Sequence, residues 1–287
     1  MRIGAMKRVD EKELAIVIPI YRVELESFEI LSLKFNQKRF DGKKIFLVAP
    51  NKLKDNPEFT TLAKNIGAEE VFFSGKFFKD ILGYNKLMLN FDFYNKFNAY
   101  EYILICQLDA LLISQNLESW TKNKYDYVGA PWVIKTTNGV ELNSVGNGGF
   151  SLRRVHKFLE VLSSKKFFFR NSDYQNLTVR CGLRNIILLK LLDNMLLRRL
   201  NLSPLPIFLY FFKINEDFFW SFFAKFFVEN YSVPDPEDAL LFSFELHPRE
   251  CLEFTKGVLP VGCHAWQRYD RNFWEQHLPE LLDTNTP

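Results

Sequence analysis

Short apolar runs alternate with stretches of helical periodicity along the chain, the pattern of a parallel sheet whose strands are joined by helices. Residues 14–20 (LAIVIPI) read as a first buried strand. Residues 44–49 (KIFLVA) read as a second, ended by Pro50 and Asn51, and residues 70–73 as a third, weaker one. The spacing between them predicts helices over 25–35 and 58–66, the latter stopped by Gly67. A longer helix is expected over 85–97, leading into residues 102–108 (YILICQL) and Asp109. An apolar run of that kind belongs to a strand covered on both faces.

The second half changes character. Residues 125–130 predict a short strand stopped by Pro131, and residues 146–149 a tight glycine turn. Residues 152, 155, 158, 159 and 162 are apolar, which is helical spacing. A helix over 184–200 carries its polar residues Lys190, Asn194 and Arg198 on one narrow stripe, and the apolar run FSFEL ends at His247 and Pro248. No repeat or low-complexity linker interrupts the chain. The expectation is a single α/β domain over residues 1–287, with a helical, aromatic-rich insertion over about 176–232.

Composition narrows the classes. Lys plus Arg number 37 against 34 Asp plus Glu, a net charge of +3 that gives no pull toward nucleic acid. Phenylalanine is abundant at 30 of 287 residues, which points to a bulky core or an adhesive surface. Cys106, Cys181, Cys251 and Cys263 form no CxxC pair, so zinc ribbons and dense disulfide frameworks are unexpected. The charged DEKE stretch near the start does not fit a secretory leader, and the longest apolar runs fall short of the ~18 residues that span a bilayer. The chain reads as cytoplasmic and reduced.

Four places could carry chemistry. Asp109, at the carboxyl end of the most strand-like segment, sits where open α/β sheets bind ligands. It either holds a divalent cation against phosphate oxygens or caps the next segment. In VGNGGFSLR (residues 145–153), Gly146, Gly148 and Gly149 allow close approach of a ligand, and Asn147 offers a donor and an acceptor to sugar hydroxyls. The alternative is a tight turn entering a helix. The loop is neither a dinucleotide fingerprint nor a P-loop. Glu216 and Asp217 lie within an aromatic segment, where burial would raise a carboxyl group toward general-base use; the alternative is the N-cap of the helix FFWSFFAKFF. His264, in GCHAW, is either a metal ligand paired with Asp109 or a structural histidine.

The order VIPIY, YEYILICQLDALLI, YDYVGAPW, VGNGGFSLR, NEDFFWS, GCHAW resembles the GT-A-type glycosyltransferases over about residues 13–270. More narrowly, it resembles a bacterial and fungal family catalogued as a domain of unknown function. The resemblance implies a GT-A-like (Rossmann-like) fold, a mostly parallel sheet with flanking helices. It also implies transfer of a sugar from a nucleotide-sugar donor to a glycan or lipid-linked glycan acceptor, inverting, in surface polysaccharide synthesis. Pro19 and Tyr21 would line the base pocket. Asp109 matches the last acid of a DxD-type element for Mn²⁺ or Mg²⁺, and Gln107 stands where the first acid would be, which weakens the case for a metal requirement. His264 would complete the metal site, Gly146–Gly149 would shape the sugar pocket, and Trp132 would be a stacking platform. Asp217 would be the general base, with Glu216 its substitute in a shifted register. Lys86 is either a diphosphate contact or a surface lysine.

Two other readings stay open. A sugar-nucleotide nucleotidyltransferase needs a glycine-rich basic loop after the first strand, where this chain has PIYRVELES. A non-catalytic glycan-binding subunit is consistent with Gln107. Lys190, Arg198, Arg199 and Lys213 among Phe and Leu runs would suit peripheral contact at the inner face of a membrane; a buried insertion or dimer interface is the alternative.

Overall fold

The structure, a computed structural model, describes residues 13–40, 42–137, 139–167, 202–212 and 214–282. The helix expected over 184–200 and the residues Cys181, Lys190, Arg198, Arg199 and Lys213 lie outside them. Among the described residues the strands are, in chain order, β1 (Leu14–Pro19), β2 (Lys44–Pro50), β3 (Ala68–Phe73), β4 (Tyr102–Cys106), β5 (Leu111–Leu112), β6 (Tyr127–Val128), β7 (Pro131–Thr136), β8 (Gly139–Val145), β9 (Phe150–Arg154), β10 (Ser243–Phe244) and β11 (Gly262–Cys263). The central sheet has the order β3-β2-β1-β4-β9-β6. Its first four strands are parallel, and β9 runs antiparallel to both β4 and β6. The protein therefore has a mixed α/β fold, with a mostly parallel sheet flanked by helices.

Both faces of the sheet are buried, as the unbroken apolar runs require. Along β1, Ala15 and Val17 point into one core and Leu14, Ile16 and Ile18 into the other; along β4, Ile103 and Ile105 oppose Tyr102, Leu104 and Cys106. The period of two is the ordinary alternation of a pleated strand. The first core takes up much of the phenylalanine, including Phe208, Phe219, Phe223 and Phe227 from the aromatic segment. Trp220 stacks on Phe158 with ring centroids 3.8 Å apart, and its indole N–H donates to the Met88 carbonyl. Those phenylalanines and Trp220 are thus interior packing, while Leu202 and Tyr210 of the same segment remain exposed.

Four sequence expectations are corrected. The helix expected over 85–97 is two, Ile81–Met88 and Phe91–Asn95, because the Asn90 side chain accepts the Asp92 N–H and starts a new helix. Residues 150–154 pair with β4 as a strand, and the helix begins only at Val155. The strand expected over 125–130 is only Tyr127–Val128, and Pro131 opens a further strand, opposite Val145 in the two-stranded β7–β8 hairpin. The segment FFWSFFAKFF coils tightly at Glu216–Phe218, widens at Phe219–Phe223 and tightens again at Ala224–Phe226.

Among the described residues, Cys106, Cys251 and Cys263 are free and buried, and no helix is long and apolar enough to cross a membrane.

Candidate functional site

The strand register gathers the site. Because β1 and β4 are parallel neighbours, Tyr21 and the Gln107–Asp109 turn emerge at the same edge of the sheet. Because β9 is antiparallel to β4, with Cys106 opposite Phe150, the glycine turn that precedes β9 lies at that edge too. The Gln107 N–H donates to the Gly149 carbonyl at 2.9 Å. Strand β11 then pairs with β5 so that Cys263 faces Leu111, which delivers His264 beside the turn holding Asp109. Strand β10 runs parallel to β11 with Phe244 opposite Cys263, so Glu245 falls next to His264.

The result is a histidine held at both nitrogens. His264 Nε2 lies 3.3 Å from Asp109 Oδ1 and 3.2 Å from Gln107 Oε1, and Nδ1 lies 3.0 Å from Glu245 Oε1. Burial opposes charge on the ring, but the bonds to Asp109 and Glu245 prevail and push His264 up to about 10. Burial would raise Asp109, and the His264 bond reverses this and holds it below the usual carboxylate range. The ring is therefore an imidazolium between two carboxylates at neutral pH. Ala265, immediately after it, has a φ of 52°, a conformation an alanine adopts only when its surroundings impose it. Those surroundings include the Trp266 indole, which donates to Ser32 Oγ at 2.7 Å.

The second half of the site is a buried ion pair. Arg153 is fully buried; its guanidinium donates to Glu216 Oε1 at 2.8 Å, to Tyr94 at 2.8 Å, to Ser151 and to the Gly148 carbonyl. Glu216 Oε2 is buried without a hydrogen-bond partner. Burial pushes Glu216 up to about 7 although Arg153 pulls the other way. Asn85 ties this segment down, accepting the Glu216 N–H and donating to Asn215 Oδ1, each at 3.1 Å. Asn215, not either acid, occupies the helix N-cap position, so the capping alternative for Glu216 and Asp217 does not hold. Asp217 is half-buried and raised by that burial, while the N–H groups of Phe218 and Asn147 and the Arg153 charge favour its ionised form.

Between the two halves lies the glycine turn, and its composition follows from what touches it. A β-carbon on Gly149 would lie 2.1 Å from His264 Nε2, and one on Gly148 would lie 2.0 Å from Glu216 Oε1. One on Gly146 would meet the Trp132 ring at 2.3 Å. Asn147 has a φ of 54°, and its side-chain nitrogen is buried without a partner. The turn enters strand β9, not a helix. Of the sequence-derived candidates, Gln107, Asp109, Trp132, Asn147, Gly148, Gly149, Glu216, Asp217 and His264 meet on or beside this turn, and Tyr21 lies near enough to Asp109 to feel its charge. Pro19 is buried at the end of β1, and Lys86 stands exposed on the helix that carries Asn85. The sequence reading missed Glu245 and Arg153. Glu245, within the FSFEL run, carries no local signal that sets it apart from a strand's solvent-facing acid.

Asp109, Gln107 and His264 present two oxygens and a nitrogen within about one coordination sphere, with Glu245 behind the far ring nitrogen, as behind many metal-bound histidines. Among the described residues no cluster of three His, Cys, Asp or Glu side chains could hold a metal. Because His264 Nε2 is hydrogen-bonded to Asp109 and Gln107, a divalent cation would have to displace the proton on that nitrogen and take its remaining ligands from substrate phosphates.

Glu216 also makes stability depend on pH. A carboxyl group raised in the folded state contributes stability that is complete below its unfolded value near 4.5 and is lost as pH rises through about 7. The melting temperature should fall between about pH 5 and about pH 8, with a shallower fall in Glu216→Gln. Equal slopes in the two proteins would show that Glu216 does not titrate there.

Structural neighbours share little sequence. The chain aligns with the WbbM bifunctional glycosyltransferase at 10% identity and a TM-score of 0.46, covering 99% of this chain and 52% of that one. Mouse xyloside xylosyltransferase 1 aligns at 9% identity and 0.43, covering 88% and 97%. The 4-diphosphocytidyl-2C-methyl-D-erythritol synthase of Anaerococcus prevotii aligns at 15% and 0.31, covering 61% and 86%. No curated protein matches the sequence. A family model does match, over residues 67–264, a stretch that holds every residue of the site except Pro19 and Tyr21; the chain belongs to the family described as protein of unknown function DUF5672.

Proposed function

We propose that the protein is an inverting glycosyltransferase that moves a sugar from a nucleotide-sugar donor to a hydroxyl of a glycan or lipid-linked glycan. One observation carries this reading: Asp109 with His264, and Asp217 with Glu216, border the same glycine turn, at Gly149 and at Asn147–Gly148 respectively. A nucleoside diphosphate leaves only if its developing charge is met. The His264 imidazolium supplies fixed positive charge at that edge. A Mn²⁺ or Mg²⁺ held by Asp109, Gln107 and the neutral form of His264 would displace that ring's proton and supply Lewis-acid stabilisation of the leaving phosphate in its place. Across the turn, Asp217 takes the proton of the acceptor hydroxyl as its oxygen attacks the anomeric carbon and the bond to the diphosphate breaks. Pro19 and Tyr21 border the nucleotide base, and Trp132 and Asn147 border the sugar. Glu216 is a positioning residue: its bond to the buried Arg153 anchors the backbone that carries Asp217.

The test is turnover of UDP-, GDP- and dTDP-sugars with and without Mn²⁺. Pyrophosphate release from a nucleoside triphosphate and a sugar phosphate would replace this reading with a nucleotidyltransferase. Glycan binding without nucleotide binding would replace it with a non-catalytic subunit, the reading that Gln107 favours. Gly149→Ala, whose added methyl displaces the His264 ring, should lower turnover about 10²-fold while circular dichroism stays unchanged.

A further inference from the structure

The most exposed aliphatic side chains among the described residues sit together at the start of the helix Ile81–Met88, beside the site. Ile81 and Leu82 leave 75% and 65% of their surface in water. Exposed lysines surround them. Lys76 lies against the first turn, its carbonyl oxygen 2.6 Å from where a Gly83 β-carbon would be. Lys79 immediately precedes the N-cap Asp80, and Lys86 is one turn beyond Leu82 on the same helix face. The carboxylate among them, Asp80, is turned into the helix, where Oδ1 accepts the Gly83 N–H at 2.7 Å. The surface is therefore a two-residue aliphatic tip flanked in sequence and on its helix by three exposed lysines and by the exposed N-cap carboxylate Asp80.

We propose that this tip docks on an anionic lipid surface, Ile81 and Leu82 entering the headgroup boundary while Lys76, Lys79 and Lys86 meet lipid phosphates. Charge complementarity selects this occupant. A second copy of the chain, paired about a two-fold axis, would bring the same lysines face to face. The docking surface adjoins the site: Phe78, between Lys76 and Lys79, packs edge-on against Tyr21 with centroids 5.7 Å apart, and the same helix carries Asn85. A docked molecule would hold the glycine turn close to headgroups. The docking stands apart from the proposed reaction, because lipid binding is measured without substrate.

The experiment is co-sedimentation of the full chain with vesicles of phosphatidylglycerol and phosphatidylcholine in equal parts, against phosphatidylcholine alone. The wild-type chain should bind the anionic vesicles, less so as salt rises. Each lysine removed should lower the partition about fivefold, so that Lys76→Ala with Lys79→Ala lowers it about 25-fold. Ile81→Asp with Leu82→Asp should abolish it. All four positions are exposed, so circular dichroism and melting temperature should stay at wild-type values. Failure of the wild-type chain to sediment overturns the proposal, as does unchanged sedimentation of the variants. A dimer dissolved by Ile81→Asp with Leu82→Asp, without lipid binding, would assign the surface to a second copy instead.

Discussion

Replacing Asp217 by asparagine is expected to lower kcat by about 10²–10⁴-fold while leaving the KM for the donor nearly unchanged. The substitution keeps the size of the side chain and an oxygen for the Phe218 N–H, which Oδ1 now accepts at 2.8 Å. It removes only the ability to take a proton. Burial, the first influence on this carboxyl group, raises it above the usual carboxylate range, and the nearby Glu245 raises it further. In the wild type, activity should fall as pH drops through that raised value, and the acidic limb should be missing from the residual activity of Asp217→Asn. If Asp217→Asn turns over like the wild type and Glu216→Gln does not, the base is Glu216 and its unpartnered Oε2 is the proton acceptor.

The second large effect concerns stability. Arg153→Met should cost about 3–5 kcal/mol in chemical denaturation, because removing one member of a buried ion pair strands the other. Here it strands more than a charge: the Gly148 carbonyl, the Tyr94 hydroxyl and Ser151 lose the same donor. The double variant Arg153→Met with Glu216→Leu should recover much of that loss, since well-packed apolar groups replace buried pairs at little cost. Recovery of stability without recovery of activity would separate the two tasks of the pair, holding the core and aiming Asp217. A double variant no more stable than Arg153→Met alone would show that the guanidinium's other bonds dominate.

How far these features were legible depends on whether their cause is local. Strands β1 and β4 could be read because burial on both faces leaves unbroken apolar runs. Asp109 and the glycine turn could be read because an acid after such a run, and three glycines in four positions, are unusual over a few residues. Glu245 could not, because its place beside His264 is set by β10 and β11, two residues each, whose register is a long-range fact. Arg153 could not, because a charged residue inside an apolar strand carries no mark of whether its partner lies near or 63 residues away. The helix over 85–97 failed for a local reason: Asn90 has a polar side chain that bonds its own backbone two residues on. Helical periodicity over 152–162 held from Val155 to Leu162 and failed only at its start, where residues 152–154 belong to strand β9.

One strand reversal has a consequence for how such a protein diversifies. Since β9 lies beside β6 and runs against it, the stretch from Ala130 to Gly149 leaves and returns as the β7–β8 hairpin without crossing the sheet. Lengthening or shortening that hairpin by matched pairs would recontour the wall formed by Trp132 and Asn147 while Asp109, His264 and Asp217 kept their mountings. Ligand preference and chemical machinery can then be inherited separately, with drift in one tolerated by the other.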